Sequence, residues 1–242
     1  MISLPPEWIL NSYDCISSTM DVARLHLSHG NIIWAKFQTA GRGRQERPWE
    51  AKRGNLLCSF VIRPKIPFLR VGEAAFVSAL GVGQALSYFL PDPTLLSYKW
   101  PNDILVGGRK IAGILLEVEE PFVVVGIGIN IVSHPEGISY PVTSLGEFSP
   151  HPVDCETVLE KLVECFQQKL EVWDQKGFSP IREEWLTKAH CLGKKITLKS
   201  RSPSDNAEEQ GLFYDIDQDG SLLLRFPDGI IKVYHTGDVF LA

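Results

Sequence analysis

The sequence predicts an α+β protein in which a mixed β-sheet with helices on one face is followed by a small β-barrel. Up to about residue 189, apolar segments with helical spacing are interspersed with short apolar segments typical of strands. After Gly193, only short strand-like segments separated by turns remain. A chain of 242 residues is long enough for one large and one small domain. We therefore predict a first domain at residues 1–189 and a second at residues 190–242.

The elements of the first domain follow from apolar spacing and from turn residues. Ser18 and Asp21 form a candidate capping box at the start of the first helix. Gly107 and Gly108 separate two apolar runs and predict a tight hairpin, because its turn requires positive φ. Helices are predicted at residues 17–29, 70–90, about 158–173 and about 180–189, and further strands at residues 31–38, 55–64 and 121–132.

The second domain is predicted from short strand-like segments and the turns between them. The pairs Asp219-Gly220 and Asp228-Gly229 are strong signals for tight hairpin turns. The strand-like segments lie at residues 194–200, 209–217, 221–229 and 230–242. Because these hairpins follow one another closely, they favour a small β-barrel.

Composition and charge exclude several classes of protein. The chain has a formal net charge of −5 at pH 7, whereas general nucleic-acid binders are usually basic. Its five cysteines are scattered without a C-x-x-C pair, which disfavours a disulfide framework and a zinc site. No apolar run reaches the ~20 residues that span a bilayer, and the start does not have the pattern of a signal peptide. We therefore expect a cytoplasmic protein without a membrane segment.

The segment GRGRQERPWE at residues 41–50, here called the arginine loop, concentrates positive charge on an acidic background. Arg42, Arg44 and Arg47 can offer bidentate contacts to phosphate or carboxylate groups. Trp49 supplies an aromatic face suited to a purine ring. The alternative is a solvated charged loop, which the glycine spacing and the nearby tryptophan disfavour. The loop thus indicates a site for a small anionic ligand.

The segment KWPNDILVGGRKIAG contains a lysine that enters an otherwise apolar strand. If Lys110 is buried there, it needs an anionic partner, because an unpaired buried ammonium is strongly disfavoured. Gly113 leaves room for a ligand to approach the strand closely. The alternatives are that Lys110 points to solvent and that Asn102 and Asp103 only make local turn hydrogen bonds.

The segment VVVGIGINIV predicts a buried strand rather than a dinucleotide fingerprint, because a third glycine and a following helix are missing. Its glycines can flatten the strand against a ligand. The amide of Asn130 both donates and accepts, so it could recognise the edge of a base. Packing against a neighbouring helix is the alternative explanation for the same residues.

The order of these motifs closely resembles that of the biotin protein ligases, over nearly the whole chain. The motifs are SST, QTAGRGR-x-x-R-x-W, KWPND, GRKIAGILLE and GIGIN, followed by the predicted small barrel. The resemblance implies a catalytic domain similar to class II aminoacyl-tRNA synthetases and an SH3-like barrel. It also implies an ATP-dependent ligase that forms biotinoyl-5'-AMP and passes biotin to a lysine of a biotin carboxyl carrier protein.

The resemblance assigns roles to residues of this sequence. Catalytic roles are implied for Lys110, Arg42 and Arg44, and Asp103 is a candidate to orient or deprotonate the acceptor lysine. The implied biotin-binding residues are Ser18, Thr19, Met20, Gln38, Arg42, Gly43, Arg44, Lys110 and Gly113. The implied ATP-binding residues are Arg42, Arg44, Arg47, Trp49 and Asn130. Magnesium is expected to be held mainly by the nucleotide, without a metal site on the protein.

Two residues depart from the family pattern. Glu46 stands where the arginine loop usually has a glycine, and Met20 stands where an asparagine usually follows ST. We expect Glu46 to reduce the charge and freedom of the loop, and Met20 to reshape a wall of the pocket.

The resemblance also leads to expectations about binding to DNA and to a second copy of the chain. Some ligases carry an N-terminal helix-turn-helix, for which the first twenty residues leave no room, so we expect no DNA binding. Exposed strand edges in such ligases can pair, which leaves a homodimer open.

Two alternative functions compete with a biotin ligase. Lipoate–protein ligases and octanoyltransferases share the catalytic fold, but the arginine loop motif and the predicted barrel disfavour them. A non-catalytic module that senses biotin or a nucleotide is disfavoured by the presence of Lys110 and the arginines.

Overall fold

The computed structural model describes residues 2–50, 52–149, 151–199 and 208–241. In these ranges the first part of the chain forms a seven-stranded sheet of order β1-β2-β3-β7-β6-β5-β4. Strands β1 and β2 are parallel, and the other neighbours are antiparallel, so the sheet is mixed as predicted. The strands are β1 Ile9–Tyr13, β2 Asn31–Ala35, β3 Leu56–Ile62, β4 Leu96–Lys99, β5 Asp103–Val106, β6 Arg109–Glu119 and β7 Phe122–Ile129.

Four α-helices accompany this sheet: α1 Thr19–Leu25, α2 Ala74–Ser87, α3 Cys155–Lys176 and α4 Phe178–Thr187. The three longer helices pack on one face, where Phe60 of β3 meets Phe166 of α3 in the main core. The short helix α1 packs on the opposite face, where Met20 joins Val61 and Val124 in a second, smaller core. The prediction of helices on one face of the sheet therefore holds for α2 to α4. Helix α1 lies on the other face, where no helix was predicted.

The first helix is shorter than predicted, and its capping differs. Ser18 caps α1 by accepting a hydrogen bond from the backbone N–H of Met20 at 3.3 Å. Asp21 does not complete a capping box, because its carboxylate accepts hydrogen bonds from the guanidinium groups of Arg24 and Arg42, both at 2.8 Å. Arg42 of the arginine loop thus binds the Asp21 side chain, which the sequence had assigned to the helix cap.

The hairpin between β5 and β6 confirms the prediction from the glycine pair. Gly107 and Gly108 have φ of 58° and 74°, values that side chains with a Cβ rarely adopt. Further along, the β5–β6 pairing shifts between Ile104 and Leu105. The shift leaves Ile111 without a partner on β5, and this bulge affects the site described below.

The last part of the chain forms a five-stranded antiparallel sheet of order β11-β10-β9-β8-β12. Its strands are β8 Lys195–Lys199, β9 Glu208–Ile216, β10 Leu222–Arg225, β11 Ile231–Tyr234 and β12 Asp238–Leu241. The strands predicted at residues 194–200 and 230–242 each end one residue outside the described ranges. The separate all-β unit agrees with the predicted fold class, whereas the boundary at residue 190 stays a prediction.

Side-chain contacts attach this sheet to the first one. The indole N–H of Trp100 donates to the carbonyl of Gly220 at 2.9 Å, and Arg182 on α4 binds Asp215 at 2.6 Å. Across the described ranges, no helix is both long enough and apolar enough to cross a bilayer.

Candidate active site

A cavity opens on the face of the large sheet that α2 and α3 leave uncovered. Alternation along β7 creates this surface, because Val125 and Ile127 point into the main core while Gly126 and Gly128 face the cavity. Gly113 of the neighbouring strand β6 also faces the cavity. The three glycines give a floor without side chains, against which Met20, Trp49 and Lys110 lie. The close approach of a ligand to the GIGIN and IAG segments stays a prediction.

The cavity brings together almost every residue that the sequence nominated. These are Ser18, Thr19, Met20, Gln38, Arg42, Gly43, Arg44, Arg47, Trp49, Asp103, Lys110 and Gly113. Asn130 is the exception: it lines an adjoining cavity that shares Gln38, Trp49 and Lys110 with the first.

One end of the cavity is polar and buried, and it is built around the N-terminus of α1. The backbone N–H of Thr19 donates to Oε1 of Gln38 at 2.6 Å, and the Thr19 hydroxyl accepts from Ser59 at 2.8 Å. Met20 is also buried and lies against the floor, since a Cβ at Gly126 would come within 2.6 Å of its Sδ. These contacts hold a row of donors and acceptors, flanked by one soft apolar wall, in fixed orientations.

Arg42 is held between two carboxylates. Its guanidinium donates to Asp21 at 2.8 Å and to Glu117 at 2.8 Å, and its side chain is only 16% exposed. The pair of acids explains how a cation of the arginine loop stays beside the buried end of the cavity.

The other two arginines of the loop contact the second sheet. Arg44 donates to the hydroxyl of Thr236 at 3.0 Å and lies 3.4 Å from Oδ1 of Asn102. Arg47 forms an ion pair with Asp238 at 2.5 Å. Burial lowers the pKa of the Arg44 guanidinium, because neither neutral partner compensates for the loss of water.

Lys110 faces the cavity and is paired rather than solvated. Its ammonium lies 2.6 Å from Oδ1 of Asp103, and both side chains are less than one-fifth exposed. The bulge at Ile111 determines this direction, because it places Lys110 opposite Leu105 and Gly113 opposite Asp103 on the same side of the sheet. Without the extra residue, Lys110 and Gly113 would face opposite sides.

Trp49 lies flat against the glycine floor. A Cβ at Gly128 would come within 2.5 Å of Cε2 of the indole, and one at Gly113 within 3.0 Å of Cζ3. The Lys110 ammonium lies 5.5 Å from the centre of this ring and 5.8 Å from that of Tyr140. The tryptophan therefore joins the loop, the sheet and the lysine in one cluster.

The side chain of Asn130 is used in a backbone contact. It is buried, and its amide nitrogen donates to the carbonyl of Thr143 at 3.1 Å. The backbone carbonyl of Asn130 also accepts a hydrogen bond from the N–H of Leu145 at 2.9 Å, which fixes the loop that follows β7. The partner Thr143 lies in a loop, so this contact differs from the packing against a neighbouring helix that was the alternative for this segment. A contact between Asn130 and a base stays a prediction.

The further residues that line the cavity without having been nominated from the sequence include Lys99, Asp238 and Phe240. Lys99 belongs to the KWPND motif, so the sequence could have nominated it. Asp238 and Phe240 of β12 belong to no motif that would have nominated them. Their position depends on the docking of the second sheet. Within the described ranges, no group of three or more His, Cys, Asp or Glu side chains could hold a metal ion.

The residue that departs from the family pattern in the loop is strained. Glu46 is exposed and has φ of 55°, in the left-handed region that a glycine adopts freely. The described part of the chain gives its carboxylate no hydrogen bond or ion pair, so the acid faces solvent.

Two parts of the chain match known protein families. Residues 12–131 match the model of the biotin/lipoate A/B protein ligase family, and residues 191–242 match that of the biotin protein ligase C terminal domain. The class is therefore that of ligases which share this catalytic fold.

The individual relatives are biotin ligases. A biotin--[acetyl-CoA-carboxylase] ligase of Paracoccus denitrificans is 38% identical over 227 residues, covering 89% of this chain and 92% of that protein. The bifunctional ligase/repressor BirA of Bacillus subtilis is 31% identical, covering 92% of this chain and 71% of its own. The biotin protein ligase of Aquifex aeolicus, solved in complex with biotin and ATP, superposes with a TM-score of 0.82 at 28% identity, covering 96% and 97% of the two chains. The chain belongs to the biotin protein ligase family.

Proposed function

We propose that this protein is an ATP-dependent biotin–[biotin carboxyl carrier protein] ligase. The observation that carries the proposal is a cavity with two chemically different ends. One end offers buried, pre-oriented donors and acceptors around Thr19 and Gln38. The other is surrounded by Arg42, Arg44 and Lys110. A neutral ureido ring fits the first end, and a carboxylate beside a triphosphate fits the second.

Binding follows from this division. Ser18, Thr19 and Gln38 would hold the ureido group, with Met20 as an apolar wall beside the rest of the bicyclic ring. Gly113 would let the ligand approach the backbone of β6 beside Trp49 and Lys110, which lie against it. Gly43 would do the same in the loop. Arg42 would meet the carboxylate of biotin, exchanging part of its contact with Asp21 and Glu117 for the ligand.

The ATP end is formed by the arginine loop and the adjoining cavity. Arg44 and Arg47 would contact phosphates, and Trp49 would offer its ring to adenine. Asn130 is also proposed to contribute to the ATP end, because it lines the adjoining cavity together with Trp49. Because its amide already binds Thr143, its contribution would be to fix the shape of the base pocket, more than to donate to the base.

In the first half-reaction, a carboxylate oxygen of biotin attacks the α-phosphorus of ATP. A new P–O bond forms, the bond from the α-phosphorus to the bridging oxygen breaks, and the electron pair leaves with pyrophosphate. Both reactants are anions, so the barrier is largely electrostatic, and Lys110, Arg42 and Arg44 lower it from fixed positions. Lys110 is pre-oriented for this task by Asp103 and by the bulge beside it.

Magnesium is part of this proposal as a partner of the nucleotide. The two carboxylates that line the cavity, Asp103 and Asp238, are engaged by Lys110 and Arg47. A magnesium ion usually keeps several waters and takes phosphate oxygens as ligands, so the triphosphate itself would hold it. When bound, it would neutralise part of the phosphate charge.

In the second half-reaction, the neutral amine of the acceptor lysine attacks the acyl carbon of biotinoyl-5'-AMP. A C–N bond forms, the acyl–oxygen bond breaks, AMP leaves, and the amine loses a proton. Asp103, which lines the cavity and contacts Lys110, is proposed to orient or deprotonate the amine. The proposed partner is thus a carrier domain, and the proposed location of the reaction is the cytoplasm. A homodimer formed by pairing of exposed strand edges is also proposed.

Biotin-dependent exchange between ATP and labelled pyrophosphate tests the first half-reaction. We expect exchange with biotin, none with lipoate alone, and a loss of ~10²-fold or more in Lys110→Ala, the size usual for a pre-placed charge donor. Exchange driven by lipoate alone would identify a lipoate ligase. Unchanged label transfer to a carrier domain by Lys110→Ala would contradict the catalytic role of the lysine.

A further inference from the structure

We propose that Lys99, together with Arg44, forms the binding site for the β- and γ-phosphates of ATP and for the departing pyrophosphate. This inference rests on the proposed function, to which it adds a residue and a chemical role. Lys99 ends strand β4 and lines the cavity on the side where β12 of the second sheet contributes Asp238 and Phe240.

Five cations line the cavity, and they differ in their partners. Arg42, Lys110 and Arg47 each have a carboxylate within ion-pair distance, as described above. Arg44 has only two neutral oxygen acceptors. Lys99 has no hydrogen bond or ion pair with any described residue, and its ammonium only lies 5.1 Å from the centre of the Phe240 ring.

Both uncompensated cations are partly buried, which makes their lack of a counter-ion costly. Burial lowers the pKa of the Lys99 ammonium below its usual value, as it does for Arg44. Asp103 and Asp238 exert a field on both groups from beyond contact distance, but each already binds another cation. Lys99 and Arg44 thus lie near the same two acids and can bind an additional anion.

The anion bound by Lys99 and Arg44 would lie apart from the carboxylate of biotin. The carboxylate of biotin lies beside Arg42 in the proposed pose, near the buried end of the cavity. Lys99 and Arg44 face the second sheet, where Thr236 also offers a hydroxyl group. A compact polyanion with several oxygens suits two cations and a hydroxyl, as the β- and γ-phosphates do. When the bond to the α-phosphorus breaks, the extra negative charge develops on this group.

The test compares Lys99→Gln with a matched control, Lys199→Gln. Lys199 also approaches the Phe240 ring, at 5.5 Å, but it is paired with Glu208 at 2.6 Å and does not line the cavity. For each variant, three quantities are measured: inhibition by magnesium pyrophosphate against ATP, the KM for ATP, and biotin transfer from preformed biotinoyl-5'-AMP to a carrier domain.

We expect Lys99→Gln to raise the inhibition constant of pyrophosphate and the KM for ATP by about 10-fold or more, the value of one charged contact. Transfer from biotinoyl-5'-AMP should stay within about twofold, because that step involves no β- or γ-phosphate. Lys99→Arg should restore part of the loss, and Lys199→Gln should behave like the unmodified protein. A Lys99→Gln variant with unaltered pyrophosphate inhibition, or one equally impaired in transfer, would overturn the proposal.

Calorimetric titration of the protein with magnesium pyrophosphate keeps this inference separate from the proposed function. If the unmodified protein binds pyrophosphate, and Lys99→Gln weakens that binding at least 10-fold, the anion site stands even without biotin-dependent exchange. If exchange occurs and pyrophosphate binding is the same in Lys99→Gln and Lys199→Gln, the function stands and this inference fails.

Discussion

A methyl group added at Gly128 should disturb the nucleotide end of the cavity without damaging the fold. The added Cβ would lie 2.5, 2.6 and 2.7 Å from Cε2, Cζ2 and Nε1 of Trp49. Ordinary contacts between such atoms are about 3.5–4.0 Å, so the indole has to move by about 1 Å. The backbone of residue 128 lies outside the left-handed region, so alanine adds no conformational strain.

The cost of the Gly128→Ala substitution follows from overpacking. Forcing extra atoms into a packed contact typically costs about 1–3 kcal/mol. Trp49 belongs to the arginine loop and not to either hydrophobic core, so this cost should fall on the placement of the loop. Converted to affinity, it corresponds to roughly a 5- to 150-fold rise in the KM for ATP. The free energy of unfolding should change little.

The assay is biotin-dependent ATP–pyrophosphate exchange at varied ATP concentration, with Gly72→Ala as the control. A Cβ at Gly72 would meet nothing within 4 Å and needs no unusual φ. Combining Gly128→Ala with Trp49→Ala completes a double-mutant cycle, in which the methyl should have almost no further effect. Equal KM values for Gly128→Ala and Gly72→Ala would refute the assignment of Trp49 to the nucleotide end.

Three further predictions concern the arginine loop and the helices. Arg42→Lys should raise the KM for biotin about 10-fold, because lysine cannot reproduce the guanidinium's simultaneous contacts to two carboxylates and the ligand; an unchanged KM in steady-state assays would argue against this. Glu46→Gly should stabilise the protein by roughly 0.5–1 kcal/mol in urea unfolding, since relief of a left-handed residue exceeds the added entropy of the unfolded chain; destabilisation would contradict the strained φ. Asp154→Ala should destabilise by ~1 kcal/mol at neutral pH through loss of the α3 cap at Thr157. The backbone hydrogen bond from Thr157 lowers the pKa of Asp154, so the difference between the two proteins should shrink as the pH falls through that depressed pKa; a constant difference would count against the cap.

Local chemistry accounts for the parts of the fold that the sequence predicted well. Gly107 and Gly108 satisfy a dihedral requirement of their own turn, so no distant residue was needed to locate the hairpin. The apolar spacing from Val158 to Trp173 likewise marks α3, which spans Cys155–Lys176. Strand β1, by contrast, has exposed and half-buried residues at the edge of the sheet and gives no clear alternation.

The site was predicted by residue type more than by geometry. Lys110 could be nominated from its unusual strand, but its orientation depends on a bulge that exists only once β5 and β6 pair. Asp21 was assigned to a cap because Arg42, 21 residues further along the chain, was not part of the local pattern. Asp238 reaches the cavity only because the second sheet docks against the arginine loop, which no short segment encodes.

The most direct test of the proposed function is the intact mass of a carrier domain after incubation with the protein, biotin, ATP and magnesium. We predict an increase by one biotinoyl group on a single lysine, dependent on both biotin and ATP. An unchanged carrier mass, in a reaction where a known biotin ligase modifies the same domain, would contradict the proposed function.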